Sequence, residues 1–321
     1  MKKLLVIGVT LLLIAGGVAF AGQSKPKNIM IRYPNTQWFD AVYIADAKGF
    51  FKEQGIEIQY VGQLPASQIV TAVASKSIDF GLRHTPLVAV AKGQGYPLKI
   101  VAAGTQTLPD YPHMRYIIRK ESSIKNIKDI AGKKVAINSF GACSEFVSRE
   151  FLKRANIKDD INFIVLPDAQ QEQSLEQGLI DVAIVHAPFS KKAIRNPALQ
   201  ELINDYAMDK GMSGMCPYFT HEDYIKENPK AVKGFVTAVA KASDWAKNHE
   251  EAAKQIVAAK LGIKVEDVEP WNYYEHQVVR YDAVKWWIDY LEKEEKLKKG
   301  QVKIEDLYTN EFNKFTAKGT K

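Results

Sequence analysis

The chain has 321 residues, a formal net charge of +7, 46% hydrophobic residues and two cysteines. That length suffices for two domains with real cores. The mildly basic balance contains no Lys/Arg block suited to a phosphate backbone, which excludes nucleic acid as a partner.

The amino end carries Lys2 and Lys3, an apolar run from Leu4 to Phe20, and Ala19-Phe20-Ala21 before Gly22. This pattern predicts a secretory signal peptide over 1–21, cleaved after Ala21, and a periplasmic mature protein. A run of about 17 residues is at the short limit for a membrane span, and the Ala-x-Ala end favours removal. Loss of Lys2 and Lys3 takes the charge from +7 to +5. In an oxidising compartment Cys143 and Cys216 form either one disulfide or two buried thiols.

From Asn28 onward strand and helix alternate. Strands are predicted at Ile29–Tyr33 and Ile56–Val61, with a helix at Phe39–Lys48 stopped by Gly49. In Ala66–Gly93, Ile69, Val70, Val73 and Ala74 fall at helical spacing, Ile78–Leu82 forms a strand, and Pro86 opens a second helix. Arg83, His84 and Thr85 therefore lie between a strand's carboxyl end and a helix's amino end, where free N–H groups favour an anion or a polar ligand. Leu98–Gly104 is a strand and Tyr111–Arg119 an extended crossing. A second run follows: a short helix at Ile127–Ile130, a strand at Lys134–Ile137, a polar turn at Ser139–Ser144 and a helix at Glu145–Ala155. Asn162–Leu166 and Val182–Val185 are strands around the helix Gln171–Gln177. Cys216–Phe219 is the return crossing. The remainder reads as helices at Pro229–Lys247, Glu250–Leu261 and Asp282–Lys296.

The segment Ser77–Pro86 aligns without gaps with Leu179–Pro188, sharing Ile78/Ile180, Asp79/Asp181, His84/His186 and Pro86/Pro188. Both copies follow a helix and precede a helix start, so the expected fold class is α/β with two similar lobes, each a mostly parallel sheet flanked by helices. Each lobe aims a His-x-Pro turn at a shared cleft. Lobe one is expected over 28–113 plus 218–321, with a helical tail, and lobe two over 114–215.

Candidate ligand-binding residues are Gln37, Trp38, Arg83, His84, Thr85, Ser139, Ser144 and His186. Arg83 supplies either a forked donor set for a carboxylate or sulfonate or a surface ion pair. Trp38 is either an apolar wall for the ligand or a core aromatic. His84, His113 and His186 approach the cleft, but the sequence has no H-x-H or H-x-x-x-H helical pair, so no metal and no cofactor are expected. Cys143 beside Ser144 and Glu145 shows no adjacent base, which argues against a catalytic thiolate.

Ala45–Lys52 with Gly55–Ile58, Ala72–Ala91, Ile127–Val135, Ile180–Phe189 and Asn228–Val232 together resemble a family of solute-binding proteins. These serve ATP-driven (ABC) importers for taurine, aliphatic sulfonates and nitrate, and the family includes binders of thiamine-precursor pyrimidines. The resemblance implies a monomeric two-lobe clamp that presents one ligand, a sulfonate such as taurine or a carboxylate, to an inner-membrane permease and its ATPase. The chain departs from taurine-type binders at Arg83 and His84, and at Gly141–Ser144. A pyrimidine ligand, or an enzyme on the same fold, is the alternative. The export signal and the lack of the Cys-rich iron-binding run of the fungal pyrimidine synthases argue against catalysis, so an enzyme is not expected.

Overall fold

The computed structural model describes residues 28–158, 160–210 and 214–316. The expected signal peptide over 1–21 lies outside the described residues. In the first βα run, β1 (Ile29–Asn35) leads through α1 (Ala41–Ala47) and α2 (Phe50–Glu53) to β2 (Ile56–Gln63). Then come α3 (Ile69–Ala74), β3 (Phe80–Leu82), α4 (Thr85–Gly93) and β4 (Leu98–Gln106). Local chemistry sets the joints. The Asp40 carboxylate caps α1 by accepting from Val42 N–H at 3.0 Å, and Gly49 takes the left-handed conformation that ends the segment (φ 74°).

The second run comprises β5 (Met114–Arg119), β6 (Lys134–Ile137), α5 (Cys143–Arg154), β7 (Asn162–Val165), α6 (Asp168–Glu176), β8 (Val182–His186), α7 (Ser190–Arg195), β9 (Leu199–Asn204) and α8 (Asp205–Asp209). The chain ends with β10 (Cys216–His221), α9 (Glu222–Glu227), α10 (Pro229–Asn248), α11 (Glu250–Leu261), β11 (Asn272–Tyr273), α12 (Tyr281–Lys293) and α13 (Ile304–Leu307).

The two expected crossings are central strands. β10 lies between β3 and β4, antiparallel to both, in the order β11-β4-β10-β3. β1 and β2 pair parallel as a separate two-stranded sheet, and Asp79 N–H, just before β3, donates to the Arg32 carbonyl of β1 at 3.0 Å. In the other sheet β5 lies between β8 and β9, again antiparallel to both, in the order β7-β6-β8-β5-β9. The four-stranded sheet is therefore antiparallel throughout and the five-stranded sheet is mixed, rather than each being mostly parallel. Each receives one strand that arrives from the other side of the molecule, and that strand runs against its neighbours.

Helix α10, with Val232, Phe235, Val236 and Val239 buried on one face, packs on α1 and α2, and α12 packs on α4. Phe235 stacks on Phe80 of β3 at 3.9 Å between ring centroids. Toward the second sheet, Tyr290 of α12 donates to the Phe146 carbonyl of α5 at 3.3 Å, and Arg115 of β5 forks onto Glu269. Cys143 and Cys216 are free, buried thiols.

Candidate functional site

The two His-x-Pro turns meet. His84 is the residue before α4 and His186 is the last residue of β8, and their ring centroids are 5.6 Å apart. His113, just before β5, completes a triangle at 5.0 Å from His84 and 5.1 Å from His186. Cys143, at the first turn of α5, closes the cluster with Sγ 3.4 Å from His84 Nε2 and 3.9 Å from His186 Nε2. All four residues are buried.

The nitrogens facing away from the cluster are held individually. His186 Nδ1 is 2.7 Å from the Asp168 carboxylate, His113 Nδ1 is 3.4 Å from Thr105 Oγ1, and His84 Nδ1 accepts from Cys143 N–H at 3.4 Å. His84 Nε2 and His113 Nε2 face each other at 3.0 Å. Burial, reinforced by Arg83, pushes the pKa of His84 well below the ordinary value; burial and His186 do the same to His113. Burial also pushes the Cys143 thiol well up and Cys216 up to about 12, which removes any thiolate at neutral pH. Burial alone would raise the pKa of Asp168, but the charge and hydrogen bonds of His186, with Asn138, bring it below the ordinary carboxylate value.

Beside the cluster lies Arg83, fully buried. One guanidinium nitrogen donates to Ser139 Oγ at 2.6 Å, and the carbon sits 5.3 Å from the Trp38 ring centroid. Its Nε and Nη1 have no hydrogen-bond partner among the described residues, and neither does the buried Ser144 Oγ. The alternative of a surface ion pair is therefore excluded, because Arg83 is neither exposed nor bonded to a carboxylate. Burial lowers its pKa, yet an arginine stays charged in proteins.

The remaining expected residues divide. Trp38 is buried and stacked on Trp271, which in turn stacks on His113 at 5.2 Å. Thr85 is fully buried, but its hydroxyl donates to the Met215 carbonyl at 3.0 Å, so that proton is committed to the backbone. Gln37 is half-buried, and no hydrogen bond among the described residues ties it to the cluster. The expected set omits Cys143, Asn138, His113, Asp168 and Trp271. Asn138 donates to Asp168 at 3.1 Å, and Asp168 also accepts from His186 N–H at 3.0 Å. The sequence offers His113 only as a metal-ligand candidate, and Trp271, in a Pro-Trp step far along the chain, carries no local signal.

The family model described as NMT1/THI5 like matches residues 37–253. Among curated proteins, the 4-amino-5-hydroxymethyl-2-methylpyrimidine phosphate synthase THI13 of Saccharomyces cerevisiae is 24% identical over 229 residues, covering 67% of this chain and 65% of that protein. Among solved structures, the periplasmic aliphatic sulphonate binding protein SsuA from Escherichia coli superposes with a TM-score of 0.67 at 18% identity, covering 88% of this chain and 91% of that one. The periplasmic nitrate-binding protein NrtA from Synechocystis PCC 6803 gives 0.72 at 15% identity, covering 89% and 87%. The architecture is thus the periplasmic-binding-protein fold. The expectation of a chain without catalytic activity is overturned by the curated relatives, which carry the name of a synthase.

Proposed function

We propose that this chain, which belongs to the NMT1/THI5-like family, captures a small solute by its anionic group in a cleft between two lobes and holds that group on Arg83. The observation that carries the reading is a fully buried guanidinium with two nitrogens that lack a partner among the described residues. A buried charge left in this state costs several kcal/mol, and a sulfonate, carboxylate or phosphate placed there offsets that cost through forked, charge-assisted hydrogen bonds. Ser139 and Ser144 supply neutral hydroxyls, Trp38 supplies a wall, and His84 and His186 line the floor.

In this reading the lobes are 28–113 with 218–321, and 114–215. They close by bending where the chain passes between sheets, at 107–113 and 214–215, because the expected crossings are locked inside sheets. The protein acts as a periplasmic monomer that hands the solute to an ABC permease and its ATPase. The structural neighbours named for sulphonate and nitrate support this anion class. A second reading is favoured by the synthase name of the curated relatives: the anion is a pyrimidine's phosphate and the chain takes part in its synthesis.

A thermal-shift panel of taurine, longer sulfonates, carboxylates, nitrate and a pyrimidine phosphate separates these readings. A ligand at 100 times its dissociation constant adds about 2.7 kcal/mol of stability. A shift for one anionic class, absent in Arg83→Met, is the expected result. No shift for any class in the panel contradicts anion capture.

A further inference from the structure

We propose that His84, His113, Cys143 and His186 form a site for one tetrahedral transition-metal ion of the zinc class. The four donor atoms, one from each residue, lie within 4.8 Å of one another. A four-coordinate zinc ion with Zn–N of about 2.05 Å and Zn–S of about 2.3 Å places its nitrogens about 3.3 Å apart and its sulfur about 3.6 Å from each nitrogen. The observed separations of 3.4 Å from Cys143 to His84 and 3.9 Å from Cys143 to His186 bracket the sulfur–nitrogen value, and the 3.0 Å between His84 and His113 lies slightly below the nitrogen–nitrogen value. Small rotations of side chains bring all four onto one ion.

The outer contacts match what a coordinating imidazole requires. Asp168 holds His186 through Nδ1 and Thr105 faces Nδ1 of His113, leaving each Nε2 turned to the centre. His84 is the ligand whose proton must move, from Nε2 to Nδ1, which gives up the long bond from Cys143 N–H. One proton leaves the Cys143 thiol for solvent as the sulfur binds. Three imidazoles and one thiolate suit zinc and its neighbours in softness, and not the hard ions Mg²⁺ or Ca²⁺. The donors come from both halves of the fold: His84 follows β3, whereas Cys143 opens α5 and His186 ends β8. A bound ion therefore ties the two sheets together. This site shares His84 and His186 with the floor of the anion reading but uses neither Arg83, Ser139 nor Ser144, so loss of the Arg83 anchor and loss of the metal are read separately.

The test uses the full mature chain, stripped with a chelator, dialysed and titrated with Co²⁺ alone. One equivalent should produce the intense visible bands of four-coordinate Co²⁺ and a near-ultraviolet thiolate-to-metal band, both bleached by one equivalent of Zn²⁺. Cys143→Ser should remove the near-ultraviolet band and weaken Zn²⁺ binding at least tenfold, and Cys216→Ser should leave the spectrum unchanged. Should Cys143→Ser fail to fold, His113→Gln reads the same loss in the visible bands. Arg83→Met should lose the anion response and keep the Co²⁺ spectrum. A pale six-coordinate spectrum, the absence of saturation at one equivalent, or a thiolate band that survives Cys143→Ser would overturn the site.

Discussion

At the scale of single residues, two buried ionisable side chains, Asp40 and Arg83, have opposite circumstances. Asp40 is fully buried and accepts from Tyr33 Oη at 2.7 Å, Thr36 Oγ1 at 2.8 Å, Tyr218 Oη at 2.7 Å and Val42 N–H at 3.0 Å. It ties α1 to β1 and β10 and is structural. Burial outweighs these four donors and raises its pKa above the unfolded value of about 3.9. The folded chain therefore holds the Asp40 proton more tightly than the unfolded chain. That contribution to stability is fully present below about pH 4 and is lost as the pH rises through the folded value. Urea midpoints of the protein relative to Asp40→Asn should accordingly fall between pH 4 and pH 7; a difference that grows over this interval would refute the assignment. Arg83, by contrast, has one Ser139 oxygen and no carboxylate partner among the described residues, which is the basis of the proposed anion site.

At the scale of elements, the insertion of β10 between β3 and β4 depends on close backbone approach. Gly104 of β4 has φ +71°, and a Cβ there would lie 1.8 Å from the Cys216 carbonyl oxygen. Gly104→Ala should cost about 4 kcal/mol or more, because backbone rather than a mobile side chain must give way. Gly95→Ala, at φ +94° with nothing within 4 Å, should cost only about 1–2 kcal/mol. Equal losses in the two variants, measured by denaturant unfolding, would show that the approach at Gly104 is not limiting.

The elements also divide into those legible in the sequence and those not. Helix α11 appears with its expected ends, and α1 and α4 are bounded as Gly49 and Pro86 imply. The ungapped likeness of Ser77–Pro86 to Leu179–Pro188 anticipates that His84 and His186 come together. Helix α5 begins at Cys143, two residues earlier than expected, because Ala142 at its cap offers no side-chain signal. β9 is missed, since its half-buried Gln200, Glu201 and Asn204 dilute the apolar pattern. The roles of β5 and β10 are non-local: nothing in either segment records which strands will flank it. His113 and Trp271 enter the site for the same reason, carried there by packing across 158 residues of chain.

At the scale of the whole molecule, the proposed capture of an anion between the lobes would link binding to closure. Charge-assisted hydrogen bonds contribute about 1.5–3 kcal/mol apiece, so a few from Arg83 with hydroxyl support reach the roughly 8 kcal/mol of a micromolar site. Without such a ligand, the Arg83 nitrogens that lack a partner among the described residues oppose folding. Replacing Arg83 by a side chain of similar length and no charge should therefore move binding and ligand-free stability in opposite directions. The most direct measurement is a calorimetric titration of the best anion from the panel into the parent chain and Arg83→Met, alongside their unfolding in urea without ligand. The account predicts affinity at least about tenfold weaker and ligand-free stability higher by about 1–3 kcal/mol in the variant. Unchanged affinity together with lower stability would contradict it, and would make Arg83 a structural residue of the β3–α4 turn.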